Sequence, residues 1–345
     1  MRGGPGTARV ALTGFERFPT WMWANWEVLN FVEWLREYND GVGEPSRKVG
    51  FYGLDLYSLF ASMEAVLAYL ERVDPEAAET ARRRFACFEP YGANMEAYAV
   101  LAGYRGLASC EDDVLAVLHD LHRKREQYLQ RAPETLQFYA LQSARLAAGA
   151  ERFYRAMLRG DPDSWNVRDQ YMFETLQQLL EHFGPGCKAV VWEHNTHVGD
   201  YRATAMHDDG YLNVGQLVRE YYGHQAIEVG FGTYRGTVTA ADEWGGPAET
   251  KRVPPAMAGS YEDMFHQVGV PRFYLLLRDL PDEPEAVLLR GPRNERAIGV
   301  VYNPAFERFG NWFQAQLPGQ FDAYIFVDQT RAVEPLVREA IPFAA

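Results

Sequence analysis

Ala189-Val190-Val191-Trp192-Glu193-His194-Asn195-Thr196-His197-Val198-Gly199-Asp200 joins an apolar, β-branched run to two histidines, an amide and two carboxylates. Such a run reads as a strand buried on both faces. In an open α/β sheet, ligands bind at the C-terminal ends of the strands. His194 and His197 are three residues apart, so they face one point if the chain turns helically there. No other short stretch of the 345 residues packs in so many proton-transfer or ligand groups.

Outward from this stretch, helical and strand patterns alternate. Asn25 to Tyr38 carries Val28, Phe31, Val32 and Leu35 at helical spacing, and Tyr57 to Leu70 carries Leu59, Phe60, Met63, Val66, Leu67 and Leu70. Asp74-Pro75 restarts a helix, with Asp as cap and Pro in the first turn. Ser109 to Asp112 resembles a capping arrangement before Val114, Val117, Leu118 and Leu121. Leu136 to Leu158 and Trp165 to Phe183 are two further long helices, and shorter ones fall at Val214–Tyr222 and Tyr261–Val268. Residues 74–184 show no strand pattern and read as a helical insertion. Short apolar strands are expected at Lys48–Gly53, Ala189–Trp192, Ala226–Gly230, Phe273–Leu277, Ala297–Tyr302 and Ala323–Val327. The fold class this predicts is α/β, a mostly parallel sheet flanked by helices with a large helical insertion. Residues 1–14 read as a flexible lead, and 15–345 as a single domain. Trp244 to Pro255 is loop-like and of a length found in lids and binding loops.

Composition narrows the class. Apolar residues make up 47% and charged residues 23%, which is globular. The net charge of −13 disfavours nucleic acid and anionic membrane surfaces as partners. No apolar run reaches the roughly 18 residues of a membrane-spanning helix. Cys87, Cys110 and Cys187 have no CxxC or zinc spacing and read as free, mostly buried thiols in a reducing cytoplasm. The expected partner is a small-molecule substrate, and a homo-oligomer stays open.

Two histidines beside Asn195 and Asp200 suit a general base and its partner. They also suit metal ligation with Glu193 or Asp200, or the satisfaction of loop backbone groups. Arg168 lies one turn before Met172 and needs a carboxylate if it is buried, where it can also hold an anionic or carbonyl oxygen. Asp169 is explained cheaply as a charge at a helix start. Asp55 sits where the strand 48–53 ends and points into the same crevice, or else caps the helix after it. His119 and His122 read as a solvated face, and His182, His207, His224 and His266 as structural or surface groups. There is no GxSxG and no P-loop. Gly230-Phe231-Gly232 is a fragment of a dinucleotide motif with no third glycine or opening helix.

Phe18-Pro19-Thr20-Trp21-Met22-Trp23, Phe51 to Ser58, Trp165-Asn166-Val167-Arg168-Asp169, His194-Asn195-Thr196-His197, Leu212-Asn213-Val214-Gly215-Gln216 and Gly236 to Ala241 occur in that order. Together they resemble the erythromycin esterase family from about Phe15 to Arg331. The resemblance implies an α/β core with helical insertions, a deep cleft, and hydrolysis of an ester or lactone by activated water without a covalent serine. It matches His194 and His197 to the family's HNxH segment, within a bacterial, largely uncharacterised branch. The family's presumed base is a histidine in an N-terminal Glu-x-x-His-Gly segment, which has no match here, since the first histidine is His119. An N-terminally truncated, poorly active chain is therefore expected, with exposed apolar surface near 48–53.

Three functions follow. The first is an ester or lactone hydrolase without a cofactor. In it His194 or His197 is base or oxyanion donor, Arg168 is oxyanion donor, and Asp55 or Glu193 is the orienting carboxylate. Asn195, Asp169 and Trp192 contact substrate. The second is a non-catalytic small-molecule binder. The third is a metal-dependent hydrolase with His194, His197 and a carboxylate as ligands.

Overall fold

The computed structural model describes residues 6–15, 17–92, 95–104, 109–158, 160, 162–280 and 284–336. The chain divides into two compact units. One comprises Met1–Gly53, Arg202–Ala205 and Ile227–Ala345, and the other Leu54–Tyr201 and Met206–Ala226.

In the first unit α1 (Trp26–Asp40) is capped by Asn25, whose Oδ1 accepts from the Val28 amide at 2.8 Å. Its Val28 and Leu29 pack with Leu12 and Leu336.

The second unit is helical. It contains α2 (Leu59–Val73), α3 (Pro75–Phe85), α4 (Met95–Tyr104), α5 (Glu111–Arg123), α6 (Glu134–Met157), α7 (Asp163–Phe183), the single turn α8 (Asn195–Val198) and α9 (Val214–Tyr222). Leu59, Met63, Val66, Leu70 and Val73 recur at alternating steps of four and three, and all are buried. Buried Ala140, Ala144, Ala147 and Ala150 let neighbours approach α6 closely. Asp74 caps α3 through the Ala77 amide at 3.0 Å. Its other oxygen takes hydrogen bonds from Lys124 at 2.7 Å and Tyr128 at 2.9 Å. The Lys124 bond is the main reason its carboxyl is pulled down to about 2. Between residues 74 and 184 the described residues form helices and no strand.

Two cysteine expectations are corrected. Cys87 and Cys110, 23 residues apart, are joined in a disulfide, and Cys187 is exposed. Packing of the turn after α3 against the start of α5 brings the pair together, which no spacing rule reveals. With only Cys187 free, cysteine usage gives no support to a reducing compartment.

The rest of the first unit carries β1 (Val229–Ala240), β2 (Glu249–Val253), α10 (Tyr261–Gln267), β3 (Arg272–Leu276), β4 (Arg293–Arg296), β5 (Trp312–Ala315) and β6 (Ala323–Thr330). The four-stranded sheet has the order β2-β1-β6-β3. The β1–β6 pair is parallel, and β1–β2 and β3–β6 are antiparallel. The sheet is therefore mixed, where a mostly parallel one was expected. Tyr261, Phe265, Phe321, Tyr324 and Phe326 form its core. A Cβ on Gly230 or Gly232 would lie 2.6 Å and 2.3 Å from Tyr324. These glycines serve ring packing on β1, not a dinucleotide turn.

Three expected strands do not form. At Lys48–Gly53 the buried Asn39 side chain replaces a partner strand, donating to the Val49 carbonyl and accepting from its amide, both at 2.8 Å. Val49 is 45% exposed. At Ala189–Trp192 no described strand pairs with the chain, and Val190 is 96% exposed. Ala297–Tyr302 follows β4 as an irregular connection.

Candidate active site

Within the helical unit, the first two turns of α7 carry Trp165, Arg168 and Asp169 at i, i+3 and i+4, which is one helix face. Asp169 is fully buried. Its Oδ1 accepts from the amide of Val214, the first residue of α9, at 3.1 Å, and lies 2.9 Å from His197 Nδ1. Burial raises the Asp169 carboxyl, against the pull of His197 and Arg168.

His197 comes from α8, a turn closed by the His197 and Val198 amides on the His194 carbonyl. Its ring stacks on Trp165 with centroids 4.5 Å apart and planes within 4°. Its Nε2 is 3.5 Å from Arg168 Nη1. A guanidinium only donates, so the network assigns a neutral ring with Nδ1–H toward Asp169 and the Nε2 lone pair toward Arg168. Two further residues hold this turn in place. Asn213 donates to the carbonyls of Thr196 at 2.9 Å and Gly199 at 2.5 Å, while its Oδ1 caps α9 at the Gln216 amide. A Cβ on Gly215 would meet the Val198 carbonyl oxygen at 2.5 Å, so only glycine lets α9 pack against α8 here.

Arg168 grips Asp55 with two nitrogens, Nε–Oδ1 at 3.0 Å and Nη2–Oδ2 at 2.7 Å, and lies 5.0 Å from the Tyr57 ring centroid. Burial works against its charge, but Asp55 more than offsets this and raises its pKa. Asp55 acts as the counter-ion of Arg168. Its Oδ1 also accepts from the Leu56 amide.

Glu193 is the least satisfied group. Both carboxyl oxygens are shielded from solvent, and neither has a hydrogen-bond partner. Burial, reinforced by the Asp169 and Asp55 carboxylates and opposed by His197 and Arg168, pushes its pKa up to about 7. A buried carboxyl without partners is costly and calls for a functional reason. Near neutral pH it is divided between acid and base, as proton transfer requires.

The two expected histidines take different places. His194 is exposed, and its Nδ1 accepts from the Thr196 amide at 3.2 Å as the cap of α8. Asn195 is the first residue of α8, and Trp192 is 52% exposed just before it. The structure thus brings together Asp55, Arg168, Asp169, Glu193 and His197, and gives His194 a capping role. Reasoning on single residues missed the supports Tyr57, Trp165 and Asn213. All three stood in the quoted motifs, but motif membership did not say what each one touches. Among the described residues, no group of three or more His, Cys, Asp and Glu is placed to hold a metal ion. Nor is any described helix long and apolar enough to cross a membrane.

A profile of the erythromycin esterase family matches residues 1–330. The chain belongs to that family. The match starts at residue 1, earlier than the resemblance at Phe15. Solved structures share the family fold at low identity. A Bacillus cereus protein superposes with a TM-score of 0.77 at 19% identity, over 96% of this chain and 79% of its own. A succinoglycan biosynthesis protein gives 0.74 at 19%, over 96% and 79%. A histidine-to-asparagine mutant of the erythromycin esterase EreC in its open conformation gives 0.63 at 14%, over 95% and 81%.

Proposed function

We propose that this chain hydrolyses a carboxylic ester or lactone of a small molecule with a water molecule activated by Glu193. The Glu193 carboxylate takes a proton as the water oxygen bonds to the carbonyl carbon. The oxyanion so formed lies toward the Arg168 Nη1 donor, the guanidinium hydrogen nearest His197. Collapse breaks the C–O bond, and the leaving alkoxide takes the proton back from Glu193. As substrate enters, the long 3.5 Å contact between Nη1 and Nε2 opens, so that neutral His197, held by Asp169 and Trp165, orients the water through Nε2. Asp55 keeps Arg168 in place, and Trp192 and Asn195 offer apolar and amide contacts to the substrate. This changes the expected roles, since Glu193 becomes the base where a histidine was foreseen.

The observation that carries the reading is the buried, unpartnered Glu193 carboxyl beside the His197–Asp169 and Arg168–Asp55 pairs. A metal is not part of the proposal. Asp169 sits at Nδ1 and Arg168 at Nε2, the two His197 ring nitrogens that could ligate a cation, and Arg168 repels one. The test is turnover of aryl esters and macrolactones by the full chain. Glu193→Gln is expected to lower kcat by about 10²–10⁴-fold. Turnover that survives both Glu193→Gln and His197→Ala would refute the assignment. Binding of a lactone with no turnover at any pH would favour the non-catalytic binder.

A further inference from the structure

A concave region lies on the helical unit, lined by none of the five grouped site residues. A cavity of about 510 Å³ lies between α6 and α7 and takes in Arg152, Arg155 and Glu111. A second of about 360 Å³ shares Arg152 and Glu111 and extends along α5 and α6 to Arg145 and Glu174. Both volumes are in the range of small-molecule sites. Arg145, Arg152 and Arg155 stand at i, i+7 and i+10, so α6 sets three cations along one groove.

The three cations are not equivalent. Arg155 is neutralised by Glu111 at 2.7 Å and Glu151 at 2.8 Å. Arg145 pairs with Glu174 at 3.3 Å, although its buried Nε lacks a hydrogen-bond partner. Arg152, which lines both cavities, is exposed and lies in no ion pair with a carboxylate of the described residues. Its fork of donors suits a planar, two-oxygen acceptor. Leu115, Leu118 and Val167 line the adjoining wall, so the groove pairs one available cation with an apolar surface. Asp163 and Glu111, which line the same cavity, disfavour a polyanion and favour a ligand with a single negative charge.

We infer that this groove binds a small amphiphilic carboxylate, its head group on Arg152 and its hydrocarbon against Leu115 and Leu118. Val167 and Gln170 of α7 line it, whereas Arg168 and Asp169 of the same helix face the reaction site, so the two sites use different faces of one helix.

The test is isothermal titration of the full chain with decanoate, with decanamide as the uncharged control. One decanoate per chain is expected. Arg152→Gln should weaken it about tenfold or more, since a charge-assisted pair is lost. Decanamide should bind about as weakly as decanoate binds the variant. Leu115→Glu, which sets a carboxylate in the apolar part, should abolish binding, and Arg168→Gln should leave it unchanged. Circular dichroism melts establish that each variant is folded. Failure of decanoate to bind, or equal binding by wild type and Arg152→Gln, would overturn the inference. So would binding lost in Arg168→Gln and kept in Arg152→Gln, which would place the ligand in the reaction site.

Discussion

Each unit of the molecule buries an arginine among carboxylates, and the two centres are built to opposite ends. In the sheet unit, Arg296 directs Nη1 and Nη2 to the carbonyls of Thr233, Tyr234 and Pro254 and to Glu307, leaves its buried Nε without a hydrogen-bond partner, and lies 4.7 Å from the Trp312 ring centroid. Glu307 also accepts from Tyr302. Even Glu262, which keeps one oxygen unpartnered, accepts the Arg296 amide on the other. In the helical unit, Arg168 commits two nitrogens to Asp55 and leaves Nη1 toward His197, and Glu193 has no partner at all. The Arg296 centre commits both ends of its guanidinium to backbone carbonyls and one carboxylate, and so holds backbone segments together. The Arg168 centre instead holds a carboxyl with neither oxygen partnered, an acceptor and a proton kept for something that is not part of the chain.

The largest expected effect breaks this comparison if it is wrong. Glu193→Gln should cost about 10²–10⁴-fold in ester turnover without lowering the melting temperature, as measured by steady-state kinetics beside a thermal melt. If the variant melts much earlier than wild type, Glu193 is structural and the contrast with Arg296 fails.

Arg296→Met should show the opposite signature. It strands the Glu307 charge and three carbonyls, and should destabilise the chain by about 3–5 kcal/mol in urea denaturation. A loss below about 1 kcal/mol, within the range of an exposed pair, would mean that the sheet unit does not rely on this centre.

The pH dependence of stability sharpens the comparison further. The Glu193 pKa is raised to about 7 by burial, so the folded state holds a proton that the unfolded state releases near its ordinary 4.5. Stability should therefore fall as pH rises from 4.5 to 7 and level off above it, by about 3 kcal/mol. Glu193→Gln should flatten that part of the profile. A wild-type profile without this decline would show that Glu193 finds a hydrogen-bond partner in solution.

Of comparable size is the disulfide, which closes a loop of 23 residues in the helical unit. Its loss in Cys110→Ser should cost about 3 kcal/mol by loop-closure entropy. Reductant should lower the wild-type melting temperature and leave the variant's unchanged.

The smallest effect is at Asp74. Replacing the cap by Ala should cost about 1 kcal/mol. Its carboxyl is held low, at about 2, so its contribution is present above the ordinary carboxylate range and lost as pH falls toward 2. An Asp74→Ala chain as stable as wild type at pH 7 would mean that Lys124 and Tyr128 find other partners.

The helices were legible in the sequence because a 3.6-residue period is a local property. The Asp74-Pro75 start, the alanine-rich α6 and the helix from Trp165 to Phe183 all follow from local pattern alone. The strands were legible only where the chain supplied a neighbour. Phe273–Leu277 and Ala323–Val327 pair as β3 and β6, whereas Val190, equally apolar, stands in solvent. A β-branched run states a preference, and a strand exists only when another segment completes its hydrogen bonds.

By itself the sequence determined the helical half, the membership of the motifs, and the density of ionisable groups around Glu193 and His197. Tertiary structure alone decided which histidine is buried and which caps a turn, that Cys87 meets Cys110, and that Arg168 is answered by Asp55 from 113 residues away. These outcomes depend on which groups lose water together. Desolvation is set by packing between segments distant in sequence, and no local period encodes it.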